Sequence, residues 1–541
     1  MGTIMLGGVG NSVNSMIEKF FGEDEARASR FFWAVFGAIC LLGTVLRFWN
    51  LSSAPIWMDE AVTLAMAELS ISTILFSMVD NHPPLTFAIQ HYWQMLFPDP
   101  AYARVPAAFA GSLSVAIIML AARDLFSPRA ALFAGLFFAA ATGHIYYSQD
   151  ARMYSYLILG LILAAWGAAG HVRLHLCSKR AYLALYVIGG AIAIYAHMLG
   201  LVVMALIGFS SLAAGLLTHG SKPFLQDWLF RNIVLFVLTL LWLAQIPAAM
   251  GTFPGLAGSN ALLDIQWFYR NITGFPGLGS VSILFEAIFY MAAGLSILLA
   301  WKAKRRGIAV MLASLIIVFP IIIIILEMRQ PIYANKVLLP AVIGVTLGAA
   351  YTLSRLQTKW LGSLLAGIIG LAAFTSSATE LRHHVKMEDY PAGFAYADAN
   401  GFDQAPVLTC LHFSTAAVWE ARPSAYILQY RKGGLLHYQG REYWQAASRS
   451  MSWLRAASAE QIDEELGGGW LIEGGLPAAL EDASQVAFMR SNCPGGQEQD
   501  ILTKLSDLGF ELVSETDLKG PAADFQILDT PLSKVSLYAR P

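Results

Sequence analysis

The sequence predicts a polytopic α-helical membrane protein carrying a C-terminal α/β domain outside the bilayer. Three observations predict it. Apolar residues make up 56% of the 541 residues and charged residues 13%, about half the charge of an ordinary soluble domain. The apolar residues gather into runs of about 20, the length a helix needs to cross a hydrocarbon core of roughly 30 Å. From about residue 378 the runs shorten and the composition turns polar. Mean hydropathy is +0.55. The net charge of −2 supplies no basic field, so the expected partner is the lipid bilayer and not nucleic acid.

Hydropathy places about eleven spans, at 31–49, 104–122, 130–145, 153–170, 181–197, 199–218, 232–250, 281–301, 308–327, 336–353 and 360–377. The stretch 85–97 is apolar enough for an extra half-span, but His91 and Gln94 argue for an interfacial helix. Residues 1–30 are polar with no cleavage site behind an apolar core, so the first span is expected to stay as an anchor. Lys and Arg then set the orientation. Lys19, Arg27, Arg30, Arg123, Arg129, Arg173, Lys179, Arg180, Lys222, Arg231, Lys302, Lys304, Arg305, Arg306, Arg355 and Lys359 fall on one side. The opposite loops hold only Arg104, Arg152, Arg270, Arg329 and Lys336, with Arg47 at an edge. This puts the N-terminal segment 1–30 in the cytoplasm. The membrane domain is 31–377, with a long first outer loop at 50–103, and the domain 378–541 lies outside.

In that last part, apolar runs at Val407–Leu411, Trp470–Glu473, Phe525–Leu528 and Val535–Tyr538 alternate with helical patterns at Ala416–Glu420, Gln461–Leu466 and Ile501–Leu508. Strands alternating with helices give a small α/β domain. Cys410 and Cys493 both lie there and can pair in an oxidising compartment, although nothing in the sequence sets their separation.

Ionisable groups near a bilayer are costly and usually functional. Here they collect on the outer side. The first outer loop opens with Asp59-Glu60 and continues as an apolar stripe, Leu64, Ala67, Ile71, Leu75 and Met78, expected as one interfacial helix. His82 follows, held in a rigid turn by Pro83-Pro84. The second outer loop holds Asp150, Arg152 and Tyr154, with Asp150 and Tyr154 expected on one helix face at i, i+4. His197 sits in the third outer turn, and Lys336 opens the tenth span. Each residue has a plain alternative: a helix cap for the carboxylates, a packing role for the histidines, a snorkelling anchor for the lysine. Their common side is what points to a site for an anionic lipid-linked substrate.

In their order along the chain, Asp59-Glu60, His82-Pro83-Pro84-Leu85, Gln149-Asp150-Ala151-Arg152-Met153-Tyr154, Tyr195-Ala196-His197 and Pro331-Ile332-Tyr333 resemble the GT-C membrane glycosyltransferases. The resemblance covers most of residues 31–400. Within that class the chain looks most like the bacterial branch related to protein O-mannosyltransferases (glycosyltransferase family 39) and to the lipid A aminoarabinose and galacturonic acid transferases. Where relatives commonly carry Arg-Tyr, this chain has Lys336-Val337, which keeps the charge but loses a planar fork.

The resemblance implies a transferase of the bacterial inner membrane that uses a polyprenyl-phosphate sugar and inverts the anomeric centre. The acceptor would be a hydroxyl on a glycolipid, lipid A, a polysaccharide or a protein. By motif match, Asp59 would be the general base, Glu60 its support and Asp150 the second acidic residue. His82, Arg152, Tyr154, His197 and Lys336 would bind substrate. No cofactor is required; a divalent cation would find ligands among Asp59, Asp150, His82 and His197, whose spacing carries no metal signature. The rival reading is a lipid-linked oligosaccharide transporter or flippase. It is disfavoured because the spans hold few charges and no repeated half is visible.

Overall fold

The computed structural model describes residues 25–76, 82–174, 180–219, 222–246, 274–329, 335–382, 388–410, 412–431, 433–438, 458–465, 467–490, 493, 496–518 and 534–541. In chain order the helices and strands are α1 (Glu25–Phe48), α2 (Met58–Ala67), α3 (Ile71–Phe76), α4 (Leu85–Leu96), α5 (Val105–Leu125), α6 (Pro128–Ala139), α7 (Thr142–Ser148), α8 (Tyr154–Leu174), α9 (Arg180–Ala196), α10 (Leu199–His219), α11 (Lys222–Leu243), α12 (Ser282–Lys302), α13 (Arg306–Ala313), α14 (Phe319–Arg329), α15 (Ala341–Ser354), α16 (Lys359–Arg382), α17 (Tyr390–Ala399), β1 (Val407–Thr409), α18 (His412–Ala421), β2 (Ile427–Arg431), β3 (Gly434–Tyr438), α19 (Ala459–Glu465), α20 (Gly475–Ala479), β4 (Gln485–Arg490), α21 (Gln497–Asp507), β5 (Glu511–Asp517) and β6 (Lys534–Ala539). The chain divides into two compact units. One comprises residues 1–49, 107–240 and 255–382, and the other residues 50–106, 241–254 and 383–541.

The first unit is a multi-pass membrane bundle. Among the described residues eight helices are long and apolar enough to cross a bilayer. The other three expected spans are irregular. The expected straight span 130–145 is two pieces, α6 and α7, bent by 61°. α6 begins cleanly, with Pro128 in its first turn and the Ser127 hydroxyl accepting from the Ala130 N–H at 3.1 Å. It stops at Ala139, and α7 restarts at Thr142.

α9 and α15 are shorter than a span, with 17 and 14 residues. α15 replaces the expected span 336–353: residues Asn335–Leu338 form a 3-10 turn, and the helix starts after Pro340 with every residue from Ala341 to Leu353 buried. The expected span 232–250 is displaced, because α11 already begins at Lys222. Its first turns carry Asp227, Arg231 and Asn232, which lower hydropathy while being used inside the bundle. Arg231 donates to Ser211 at 2.6 Å and lies over the Tyr186 ring, whose hydroxyl donates to Asn232 at 2.8 Å. α8 and α9 approach closely because glycines face each other: a Cβ at Gly160 would come within 2.6 Å of the Gly189 carbonyl.

The second unit is built on a six-stranded sheet of order β3-β2-β1-β4-β6-β5. β1 is parallel to β2 and β4, and the remaining pairs are antiparallel. Both faces are buried along β1, β2, β4 and β6, so alternate residues of one strand enter different cores, whereas the edge strand β5 is exposed. Val407, Ile427, Ala487, Val535 and Leu537 face one core, while Leu408, Leu428, Val486, Phe488 and Tyr538 face the other. Of the expected runs, Val407–Leu411 and Val535–Tyr538 contain strands and Trp470–Glu473 makes only a single bridge, Leu436 to Leu471. Phe525–Leu528 lies outside the described residues. The β2–β3 hairpin, β4 and β5 are strands the alternation did not mark. Cys410 and Cys493 are bonded, with Cα atoms 5.3 Å apart, under the second core.

The first of these cores also takes in the loop that sequence had assigned to the membrane domain. Ala61, Val62, Ala65 and Met66 of α2 and Phe87 of α4 pack with Tyr390, Phe394, Ala417, Val418 and Leu537. The expected single interfacial helix is therefore two. α2 is buried from Glu60 to Ala67, and the Ser70 hydroxyl, accepting from Thr73 N–H at 3.2 Å, starts α3 separately. Met78 lies outside the described residues. α4 has 12 residues, too short to span, and His91 Nδ1 hydrogen-bonds the Ala67 carbonyl at 2.8 Å.

The disulfide closes a separation of 83 residues, which constrains the unfolded chain by about 2–5 kcal/mol. Cys410→Ser together with Cys493→Ser is expected to lower the unfolding temperature of the second unit. Thiol labelling of the denatured, unreduced wild type is expected to miss both residues.

Candidate functional site

In the second unit, Asp59 and Glu60 occupy the first turn of α2, where the helix dipole favours carboxylates. The two differ sharply. Glu60 is fully buried and bound by Arg104, itself 2% exposed. Arg104 Nε donates to Oε1 at 2.7 Å and Nη2 to Oε2 at 2.6 Å. The same guanidinium donates to the carbonyls of Leu51 at 2.9 Å, Ala54 at 2.8 Å and Pro55 at 2.9 Å. Every N–H of the guanidinium is thereby used. Glu60 Oε2 also accepts from the Trp57 N–H at 3.5 Å, the reciprocal half of a capping box.

Asp59 is half-buried, and its carbonyl accepts the Thr63 hydroxyl at 3.1 Å. One further carboxylate joins this helix end: Glu388, 1% exposed, accepts from the Met58 N–H at 3.4 Å. Sequence reading missed Glu388 because it lies 330 residues from Met58, and it used Arg104 only as a topology charge. His82 is half-buried in the turn that enters α4.

In the membrane unit, Asp150 and Arg152 are buried, at 0% and 3% exposure. They do not lie on α8, as the expected i, i+4 pairing required. Residues 150–153 are bends, Arg152 N–H donates to the Asp150 carbonyl at 2.7 Å, and the helix begins only at Tyr154. Tyr154 and His197, predicted from separate loops, do come together. Their ring centroids are 5.8 Å apart, and Tyr147 lies 4.9 Å from Tyr154 on an edge. His197 Nδ1 accepts from the Leu199 N–H at 2.9 Å, which caps α10. The backbone of Lys336 lies in the 3-10 turn before α15, and its side chain is outside the described residues.

Among the described residues no three His, Cys, Asp or Glu side chains group as metal ligands. Removing one partner of a buried ion pair costs about 3–5 kcal/mol. Arg104→Met is therefore expected to lower thermal stability by that order and to expose residues 50–57 to proteolysis, since three carbonyls also lose their donor.

No protein-family model and no curated protein sequence matches this chain. Known structures do. The apo crystal structure of ArnT from Cupriavidus metallidurans has a TM-score of 0.59 at 13% identity, covering 95% of this chain and 98% of that one. ArnT from the same organism bound to undecaprenyl phosphate has a TM-score of 0.55 at 14% identity, covering 94% and 97%. At this identity the likeness is one of fold. ArnT is a GT-C glycosyltransferase, and this chain has the GT-C fold along nearly its whole length.

Proposed function

We propose that the protein transfers a sugar from a polyprenyl-phosphate donor to an acceptor hydroxyl, with inversion, at the outer face of a bacterial inner membrane. One observation carries the reading: the fold matches that of ArnT over 95% of the chain, and in that frame the chain presents a half-buried carboxylate, Asp59, next to Glu60, which Arg104 holds. The solved ArnT complex with undecaprenyl phosphate supports a lipid-phosphate donor here.

In this reading the bond between the anomeric carbon and the phosphate oxygen breaks while the acceptor oxygen bonds to the opposite face. The sugar passes through an oxocarbenium-like state. The acceptor proton goes to Asp59, and the leaving group departs as polyprenyl phosphate. Glu60 is a positioning residue, held by Arg104 so that α2 and its Asp59 keep one orientation. Asp150 is assigned as the second acidic residue, and Arg152, Tyr154 and His197 of the membrane unit are assigned to substrate binding; His82 keeps the same assignment in its own unit. Lys336 is assigned the donor phosphate as a point charge. The acceptor is a glycolipid, a polysaccharide or a protein hydroxyl.

The test uses purified protein in detergent with a bacterial extract of polyprenyl-phosphate sugars and acceptor membranes, and follows free polyprenyl phosphate by mass spectrometry. Wild type is expected to release it and the depleted donor names the sugar. Asp59→Asn is expected to slow release by about 10²–10⁴-fold, the range for loss of general-base help. Lys336→Met is expected to raise donor KM about tenfold, with Lys336→Arg restoring it. Equal release by wild type and Asp59→Asn would remove Asp59 as the base. No release by wild type would sink the transferase reading in favour of transport.

A further inference from the structure

The break between α6 and α7 is held by a buried arginine from a distant span. A continuous helix pairs each carbonyl with the N–H four residues on, so the bend strips the carbonyls of Ala139 and Ala140 of their partners. Arg47, near the end of α1, replaces the first of these and also reaches the Phe138 carbonyl, which accepts from the Ala141 N–H at 3.3 Å. Its Nη1 donates to the Ala139 carbonyl at 3.0 Å and its Nη2 to the Phe138 carbonyl at 3.1 Å. The Ser377 hydroxyl donates to the Ala140 carbonyl at 2.7 Å. The support is reciprocal. Gln149, just past α7, donates to the carbonyls of Leu46 at 3.2 Å and Trp49 at 2.8 Å, where α1 ends.

Arg47 is 0% exposed and also reaches His144 Nδ1 at 2.8 Å. A guanidinium only donates, so Nδ1 accepts and the ring proton sits on Nε2. The packing leaves no slack. A Cβ at Gly111 would lie 2.7 Å from Ser148 Cβ and 3.2 Å from Arg47 Cδ. Serine, threonine and water commonly satisfy a bent span, whereas a buried arginine is expensive and marks function by default.

We propose that Arg47 is a positioning residue of the transferase. By closing the break it sets the direction of Gln149–Tyr154, and with it the placement of Asp150 and Arg152. What that segment does rests on the proposed function; how it is held does not.

The test uses the full-length protein in detergent as wild type, Arg47→Met, Arg47→Lys and Gly111→Ala. Arg123→Gln serves as control, since Arg123 clasps the opposite end of α1 at 4.8 Å from the Phe32 ring and 4.7 Å from the Trp33 ring. Hydrogen exchange of peptides within 141–154 is read beside kcat and donor KM. Arg47→Met is expected to speed exchange there about tenfold while peptides of the C-terminal sheet stay at wild-type rates. Its kcat is expected to fall about 10²-fold, the cost of a misplaced group, with donor KM within about threefold.

Arg47→Lys should recover part of both readouts, and Gly111→Ala should reproduce the exchange change with Arg47 present. Arg123→Gln should leave exchange in 141–154 unchanged. If Arg47→Met fails to accumulate, Arg47→Lys carries both measurements, with intermediate effects expected. Unchanged exchange in 141–154, or faster exchange with unchanged kcat, overturns the proposal. A wild type without turnover would end the transferase reading, and the exchange data alone would then decide whether Arg47 holds the break.

Discussion

Backbone carbonyls that leave a helix inside a packed interior must find a donor, and in each unit a buried guanidinium supplies it. Arg104 serves Leu51, Ala54 and Pro55 while gripping Glu60. Arg47 serves Phe138 and Ala139. Arginine suits the task because its planar fork reaches several acceptors at once and stays charged. What is irregular here, the turn before α2 and the break after α6, is therefore specified as tightly as the helices. Both irregular segments lead into the candidate site residues.

The membrane unit departs from ideal spans in the same spirit. α15 is short because it is buried along its whole length. α13 and α14 are joined through a π segment, Ser314–Val318, where Ser314 meets the Ser210 hydroxyl at 2.5 Å. α11 keeps Arg231 inside the bundle. A bundle of identical apolar rods has little to define its packing, because lipid is as apolar as leucine. Broken helices, close glycine contacts and buried polar pairs give this one a defined arrangement.

In the second unit the sheet apart from its edge strand β5 is covered on both faces, and α2 and α4 form part of one cover. α2 is thus a core element of that unit rather than a float on a membrane surface. Its N-terminus, with Asp59, is held from three sources: the bond from the Trp57 N–H to Glu60, Arg104 and Glu388. A carboxylate on a buried, capped helix has a far narrower range of positions than one on an interfacial helix, which is what proton transfer to a fixed substrate demands.

Features that depend on local composition were determined by the sequence alone. Apolar run length located most of the spans, strands alternating with helices in the polar C-terminal part pointed to a sheet there, and the ordered motifs from Asp59 to Pro331 pointed to the GT-C class. Strands such as Val407–Thr409 were legible as apolar runs because both their faces are buried. Tertiary structure decided whatever depends on residues far apart in the chain. Arg47 and Arg104 read as stray charges at span edges until their carbonyl partners came into place, and Glu388 carried no signal at all. The break in the third expected span was invisible because alanines flank it, and an alanine run is as apolar bent as straight. The start of α8 was misjudged for a related reason: propensity does not register that Asp150 and Arg152 are buried in bends, where contacts and not helix periodicity set their direction.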